Sequence, residues 1–192
     1  AGYCTLKCPE CPTGVALLTR AKGTMNMALF QQIIDGFSSH LMHINLFFQG
    51  EPFLNRSLGE MISYASSKNI YTLISTNGQL LNQQSVYDLI SGRLTEIIFS
   101  VDGLTQQTYE LYRVGGRLSK LIAAVELLVD AKRRTHSVYP LITLQFIVFE
   151  HNQHEVGLLD GFAKLLGADR YVVKTAQFND FGTGTVKPPT NK

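Results

Sequence analysis

Three thiols lie close together at the start of the chain. Cys4, Cys8 and Cys11 are spaced C-x3-C-x2-C and are the only cysteines in the sequence. An odd number of cysteines in one short loop argues against a disulfide framework. Thiols that stay reduced fit the cytoplasm. Thiolates are the ligands of iron–sulfur clusters, and close spacing lets a single loop wrap one cluster. Three cysteines on a four-iron [4Fe-4S] cluster leave one iron open to a substrate, which a pure electron carrier does not need. The competing reading is a zinc site completed by a histidine. His40 and His43 are the nearest, but neither stands at the usual short ligand spacing from a partner.

Three further segments combine polar residues with glycine: Gln49-Gly50-Glu51-Pro52, Ser75-Thr76-Asn77-Gly78 and Ser100-Val101-Asp102-Gly103. Each stands at the end of an apolar, β-rich run. Such runs fall at 41–48, 70–75, 96–101, 141–149 and 170–175, and helical patterns fall between them at 28–38, 57–68, 83–91, 118–134 and 155–166. This alternation predicts right-handed βαβ units, hence an α/β fold with a parallel sheet. Ligands of such sheets bind beyond the C-terminal ends of the strands, which is where all three segments fall. Asn77-Gly78 and Asp102-Gly103 also read as plain turn dipeptides. Three such segments at one end of successive strands favour a site. The three segments are therefore candidate ligand-binding loops.

Strand alternation adds a second group. His43, Asn45, Phe47 and Gln49 share a face, as do Thr143, Gln145 and Ile147, and Val172 and Lys174. A closed barrel interior is filled by Val, Ile and Leu. Polar residues here predict either an open barrel with a ligand inside it, or side chains that pair with each other or with buried water. His43, Asn45, Gln145 and Lys174 are the candidate substrate contacts.

Of the 192 residues, 45% are hydrophobic and 17% charged, a globular composition. No apolar run reaches the roughly 20 residues of a membrane span. A net charge of +2 argues for neither nucleic acid nor a membrane surface as partner. The Lys132-Arg133-Arg134 cluster reads as a solvated helix end favoured by the helix dipole. The first residues lack a basic segment followed by an apolar one, so no signal peptide is visible. Only Ala1, Gly2 and Tyr3 precede Cys4, and a cysteine loop in a β/α fold should follow a strand. The first strand is therefore expected to be missing. Residues 178–192 are rich in Gly, Pro, Thr and Asn and read as a linker. The expected organisation is a core over 1–177 and a linker over 178–192.

The cysteine loop followed in order by Gly-Glu-Pro, Ser-Thr-Asn-Gly and Ser-Val-Asp-Gly resembles the radical S-adenosylmethionine (radical SAM) superfamily, over nearly the whole chain. The stretch Cys8-Pro9-Glu10-Cys11-Pro12-Thr13-Gly14 is similar to the subset that carries a C-terminal SPASM domain with auxiliary clusters. The resemblance implies a partial (β/α)6 barrel that here lacks its first strand. It implies a [4Fe-4S] cluster on Cys4, Cys8 and Cys11 and S-adenosyl-L-methionine (SAM) as cosubstrate. Reductive cleavage of SAM would give a 5′-deoxyadenosyl radical that takes hydrogen from a substrate, by analogy a peptide or protein. A reductant such as flavodoxin or ferredoxin is implied as partner. Glu51, with Gly50 and Pro52, would receive the SAM ammonium, Ser75 and Asn77 would give polar contacts to SAM, and Ser100 and Asp102 would hold the ribose. Arg113 resembles the arginine that pairs with the SAM carboxylate. Two departures stand out: Glu10 replaces an aromatic residue before the third cysteine, and Gln49 replaces the first glycine of Gly-Gly-Glu-Pro. The adenine contact is then expected from backbone at the end of the 143–149 strand. Tyr3, Tyr109 and Tyr112 are either radical relays or packing residues. A non-catalytic iron–sulfur carrier or sensor accounts for the cysteines but not for the three loop motifs. A β/α enzyme of another class with structural zinc is the third reading.

Overall fold

In the computed structural model, which describes residues 1–179, 181–182 and 184–190, the β-rich runs become five strands. These are β1 (His43–Asn45), β2 (Tyr71–Thr76), β3 (Glu96–Ser100), β4 (Leu141–Val148) and β5 (Arg170–Thr175). All neighbours pair in parallel, in the order β1-β2-β3-β4-β5. Parallel neighbours need long crossovers, and helices supply them. Helix α1 (Met27–Phe37) precedes β1, and α2 (Leu58–Ser67) and α3 (Gln83–Ser91) flank β2. Helices α4 (Gln106–Tyr112) and α5 (Leu118–Thr135) lie between β3 and β4, and α6 (Leu159–Leu166) leads into β5. The fold is α/β, as the alternation predicts.

Local chemistry sets the helix ends. Asn26 and Asn82 cap α1 and α3 by accepting from the amides of Leu29 (2.8 Å) and Ser85 (2.9 Å). The Lys132-Arg133-Arg134 cluster does sit in the last turn of α5, where cations meet the negative end of the dipole. Helix α6 stops at Gly167, whose φ of 71° is left-handed, a conformation glycine adopts without strain.

Three boundaries differ from expectation. The strand expected over 41–48 shrinks to three residues: Leu46 still donates its amide to the Leu73 carbonyl at 2.8 Å, and the chain then turns into the Gly50-Glu51 loop. The helix expected over 155–166 opens with a 3-10 segment, Gln153–Leu158, before α6. Helix α4 is absent from the sequence reading altogether. It has seven residues, buries only Tyr109 and Tyr112, and is started by a reciprocal cap between Thr105 and Thr108. A helix this short, with so few apolar residues, shows no helical period. No strand precedes α1 among the described residues.

The two faces of the sheet are unlike. Ile74, Ile97, Phe99, Ile142, Leu144 and Phe146 point to one face and are buried against the helices in the main core. Register aligns the opposite face: Asn45 with Leu73, Ser100 with Gln145, Thr143 with Arg170, and Ile147 with Lys174. That face carries the polar candidates His43, Asn45, Gln145 and Lys174, all at least partly exposed. Asp180, Thr183, Asn191 and Lys192 of the expected linker lie outside the described residues. Within the rest of that stretch Val186 is buried beside Leu6, Cys8 and Tyr112. The Glu150 amide donates to the Lys187 carbonyl at 3.0 Å. The stretch therefore packs against the cysteine loop, which composition alone does not reveal.

Candidate active site

The three loop motifs stand at the C-terminal ends of β1, β2 and β3, and the cysteine loop lies across them. Five hydrogen bonds tie it down. The Glu51 amide donates to the Tyr3 carbonyl at 2.9 Å, and the Lys7 amide to the Val114 carbonyl at 3.0 Å. Asn77 Nδ2 donates to Cys4 Sγ (3.4 Å) and Thr5 Oγ1 (3.2 Å). Arg113 Nη1 donates to Cys8 Sγ at 3.7 Å. Close approach explains two glycines. A Cβ on Gly50, at φ 97°, would lie 2.3 Å from the Ala1 carbonyl oxygen, and one on Gly103 would lie 2.3 Å from the Tyr109 nitrogen.

Glu51 is buried and starts the 3-10 turn Pro52–Leu54, in which Pro52 is itself buried. Its Oε1 accepts from Thr76 Oγ1 (2.7 Å) and the Phe53 amide (3.3 Å), and its Oε2 from the Asn77 amide (2.9 Å). Burial pushes its pKa up, against the lowering effect of these three donors. A carboxylate offers about four lone-pair sites, so Oε2 retains capacity for one more donor. Glu51 thus holds the Thr76-Asn77 turn in place and keeps one acceptor site free.

Asp102 is fully buried. Its Oδ2 accepts from Arg113 Nε at 2.5 Å and also pairs with Nη2, and its Oδ1 accepts from the Ile147 amide at 2.6 Å. The structure therefore brings Asp102 and Arg113, two sequence candidates, onto each other. Burial lowers the Arg113 pKa, but the facing Asp102 carboxylate outweighs it and holds the guanidinium charged. Ser75 and Ser100 lie on the polar face, and neither hydroxyl has a protein hydrogen-bond partner among the described residues. Gln145, the register partner of Ser100, is half-buried, and Lys174 is exposed. His43 Nε2 bonds Asn45 Oδ1 at 2.8 Å and its ring stacks on Tyr71 at 4.9 Å, so these two candidates do pair with each other.

Burial pushes the free Cys8 thiol up to about 11, opposed chiefly by Arg113. Cys4 is raised too, by burial first, against donors from Leu6 and Asn77. These are inert thiols rather than nucleophiles; bound metal itself deprotonates a coordinating thiol. The three cysteines pack into one cluster with Leu6, Tyr112 and Phe149, and N–H groups of Leu6 and Asn77 donate to the Cys4 sulfur and one of Arg113 to the Cys8 sulfur. Among the described residues no three His, Cys, Asp or Glu side chains converge as for a single metal ion. The donor set itself, three thiols on one short loop with N–H donors on the sulfurs of Cys4 and Cys8, fits the chemistry of an iron–sulfur cluster.

Sequence reading missed several supporting residues. Asn152 is buried, donates to the carbonyls of Asp102 (3.0 Å) and Ile147 (2.9 Å), and accepts from the Phe149 amide (2.7 Å). Glu155 accepts from the Leu104 amide and Thr108 Oγ1, fixing the start of α4. Gln79 ties the Asn77 carbonyl to Arg117. Glu10 accepts from the Asn179 amide at 2.7 Å. Each also has a partner far along the chain, Asp102 for Asn152, Leu104 and Thr108 for Glu155, Arg117 for Gln79 and Asn179 for Glu10, which no local pattern reveals. Tyr109 and Tyr112 are buried core residues, the latter 4.4 Å from the Phe149 ring.

Residues 1–147 match the family model described as the radical SAM superfamily. The chain belongs to the radical SAM superfamily. Among curated relatives it is 27% identical, over 169 residues, to the mycofactocin maturase MftC of Mycobacterium ulcerans (strain Agy99), covering 88% of this chain and 42% of that protein. It is 27% identical over 180 residues to the PqqA peptide cyclase of Gluconobacter oxydans (strain 621H), covering 93% and 48%. The chain thus spans about half the length of these relatives. In fold it matches SuiB of Streptococcus suis bound to S-adenosylmethionine, with a TM-score of 0.78 at 18% identity, over 100% of this chain and 42% of that one. Radical SAM membership accounts for the order of the loop motifs.

Proposed function

We propose that this chain is the catalytic core of a radical SAM enzyme that modifies a peptide. The observation that carries the reading is the convergence of the loop motifs on the cysteine loop: the first two directly, through Glu51 and Asn77, and the third through Asp102, which holds the Arg113 that reaches Cys8. Cys4, Cys8 and Cys11 would hold a [4Fe-4S] cluster, which when bound supplies the electron for reductive cleavage of SAM. The residues of the chain bind, orient and exclude water. The free lone pair on Glu51, with the backbone of Gly50 and Pro52, receives the SAM ammonium by a charge-assisted bond. Asn77 holds Cys4, while Ser75 and Ser100 offer unpartnered hydroxyls toward SAM. Asp102 acts through Arg113 rather than on the ribose directly. Gln145 and Lys174, with the His43–Asn45 pair deeper on the same face, line the space left for substrate.

The peptide class rests on the relatives, one of which is named for cyclising a peptide. The chain spans about half the length of these relatives, which leaves room for a further, SPASM-type domain in the full-length protein. Reduced thiols favour a cytoplasmic setting, with flavodoxin or ferredoxin as reductant. No helix among the described residues is long and apolar enough to cross a membrane. The carrier or sensor reading leaves the three motif loops without work. The test is anaerobic reconstitution of the full-length protein followed by a SAM-cleavage assay. About four irons and four sulfides per core cluster with 5′-deoxyadenosine formed on reduction is the expected result. Stoichiometric zinc without sulfide would sink the proposal.

A further inference from the structure

We propose that Arg113 is a positioning residue whose guanidinium, locked by Asp102, sets the reduction potential of the cluster through Cys8. This rests on the cysteine loop being a cluster site. The planar guanidinium presents its donors on separate edges. Here Nε and Nη2 both engage Asp102 Oδ2, and Nη1 goes to Cys8 Sγ at 3.7 Å. Asp102 cannot swing away. Its Oδ1 takes the Ile147 amide at 2.6 Å, and its main-chain carbonyl takes Asn152 Nδ2 at 3.0 Å. Its φ of 47° is left-handed, a conformation that side-chain-bearing residues rarely adopt. The Tyr112 ring, 5.1 Å from the guanidinium carbon, closes another side.

A largely buried ion pair, with the Arg113 side chain 14% exposed and Asp102 fully buried, is weak evidence for stability, because apolar residues of the same volume often serve as well. One that directs a spare donor at a ligand sulfur has a second use. Reduction adds a negative charge to the cluster. A fixed cation beside a ligating sulfur, in a dry site, stabilises the reduced form and raises the potential. Asn77 and the Leu6 amide act on Cys4 in the same sense with neutral donors, which are weaker. The resemblance instead gives Arg113 the SAM carboxylate, so the decisive measurement is made without SAM.

The experiment is an EPR-monitored redox titration of the reconstituted, SAM-free cluster in the full-length protein. R113Q should shift the reduced-to-oxidised ratio about tenfold toward oxidised, close to 59 mV for a one-electron couple. R113Q leaves Asp102 buried and unpaired and can fail to fold for that reason. D102N/R113Q removes both charges and should shift the ratio in the same direction by at least threefold. R113K keeps the charge and should recover part of the shift. A cluster-bearing R113Q or double variant with a ratio within twofold of wild type overturns the assignment. Wild-type potential combined with weakened SAM binding overturns it too, and places Arg113 on the SAM carboxylate. A wild-type protein that assembles no cluster overturns the cluster reading first.

Discussion

Two carboxylate networks stand at opposite ends of the sheet. At the C-terminal end, Glu51 and Asp102 are both buried, and their partners Asn77 and Arg113 each direct a further N–H at a cysteine sulfur. At the N-terminal end, Glu96 gathers Tyr71 OH (2.7 Å), Thr143 Oγ1 (2.7 Å) and Arg170 Nη2 (2.5 Å), and Arg170 Nε returns to Thr143 Oγ1 (2.9 Å). This second network stitches β2, β3, β4 and β5 together across the polar face, near the strand starts. Its members satisfy each other, and no thiol lies among them. The two sets share a chemistry and differ in where the surplus donors point. In β/α folds residues at the C-terminal end serve the site and those at the N-terminal end serve stability. The direction of the spare donors says the same from the atoms.

The comparison breaks most sharply at the sulfurs. Cys8→Ala should abolish the core cluster, lowering reconstituted iron and sulfide by about four each per chain, while far-UV circular dichroism stays unchanged. A variant that retains the full iron and sulfide would remove Cys8 as a ligand. Asp102→Ala comes next, since it leaves the Arg113 charge buried without its partner. Urea unfolding should show a loss of roughly 3–5 kcal/mol, and a loss below about 1 kcal/mol would mean that the pair is not buried as described. Glu51→Ala should leave the cluster in place and weaken SAM binding by roughly 1.5–3 kcal/mol, the worth of one charge-assisted bond. Calorimetry that finds the wild-type affinity would take Glu51 out of the site.

Glu96→Ala sharpens the contrast from the other end. It should cost roughly 1–3 kcal/mol of stability by taking away the acceptor of the Tyr71 and Thr143 hydroxyl protons, with SAM affinity unchanged. Weakened SAM binding would erase the division of labour between the two ends. The smallest effect is the pH dependence of that same network. Burial raises the Glu96 pKa, but the bonds from Thr143, Arg170 and Tyr71 outweigh it and the net shift is downward. Its stabilisation is thus present above the ordinary glutamate pKa and fades as the pH falls through the lower folded value. Tyr71 is pushed up to about 12, by burial first and then by Glu96. Its share is intact below the ordinary tyrosine pKa and fades as the pH rises toward 12. Unfolding midpoints followed across pH should decline at both extremes, and Glu96→Ala should flatten both limbs.

The sequence by itself determined what depends on near neighbours. Cysteine spacing, the strand–helix alternation and the glycine-bearing ends of three strands are all local, because the periods of strands and helices and the reach of one short loop act over a few residues. From these came the α/β fold, the grouping of the three thiols and the end of the sheet that carries the loop motifs. Tertiary structure alone decided the pairings. Asn77 meets Cys4 across 73 positions, and Arg113 meets Cys8 across 105. Asp102 and Arg113 were both visible as candidates, but as separate ligand contacts; register and burial turned them onto each other, since a buried carboxylate is stable only with its donors supplied. Helix α4, the short β1 and the packing of Val186 beside Cys8 belong to the same class. Each depends on which loop lies over which strand end, and that is set by the order and register of a parallel sheet whose strands meet only after the chain has folded.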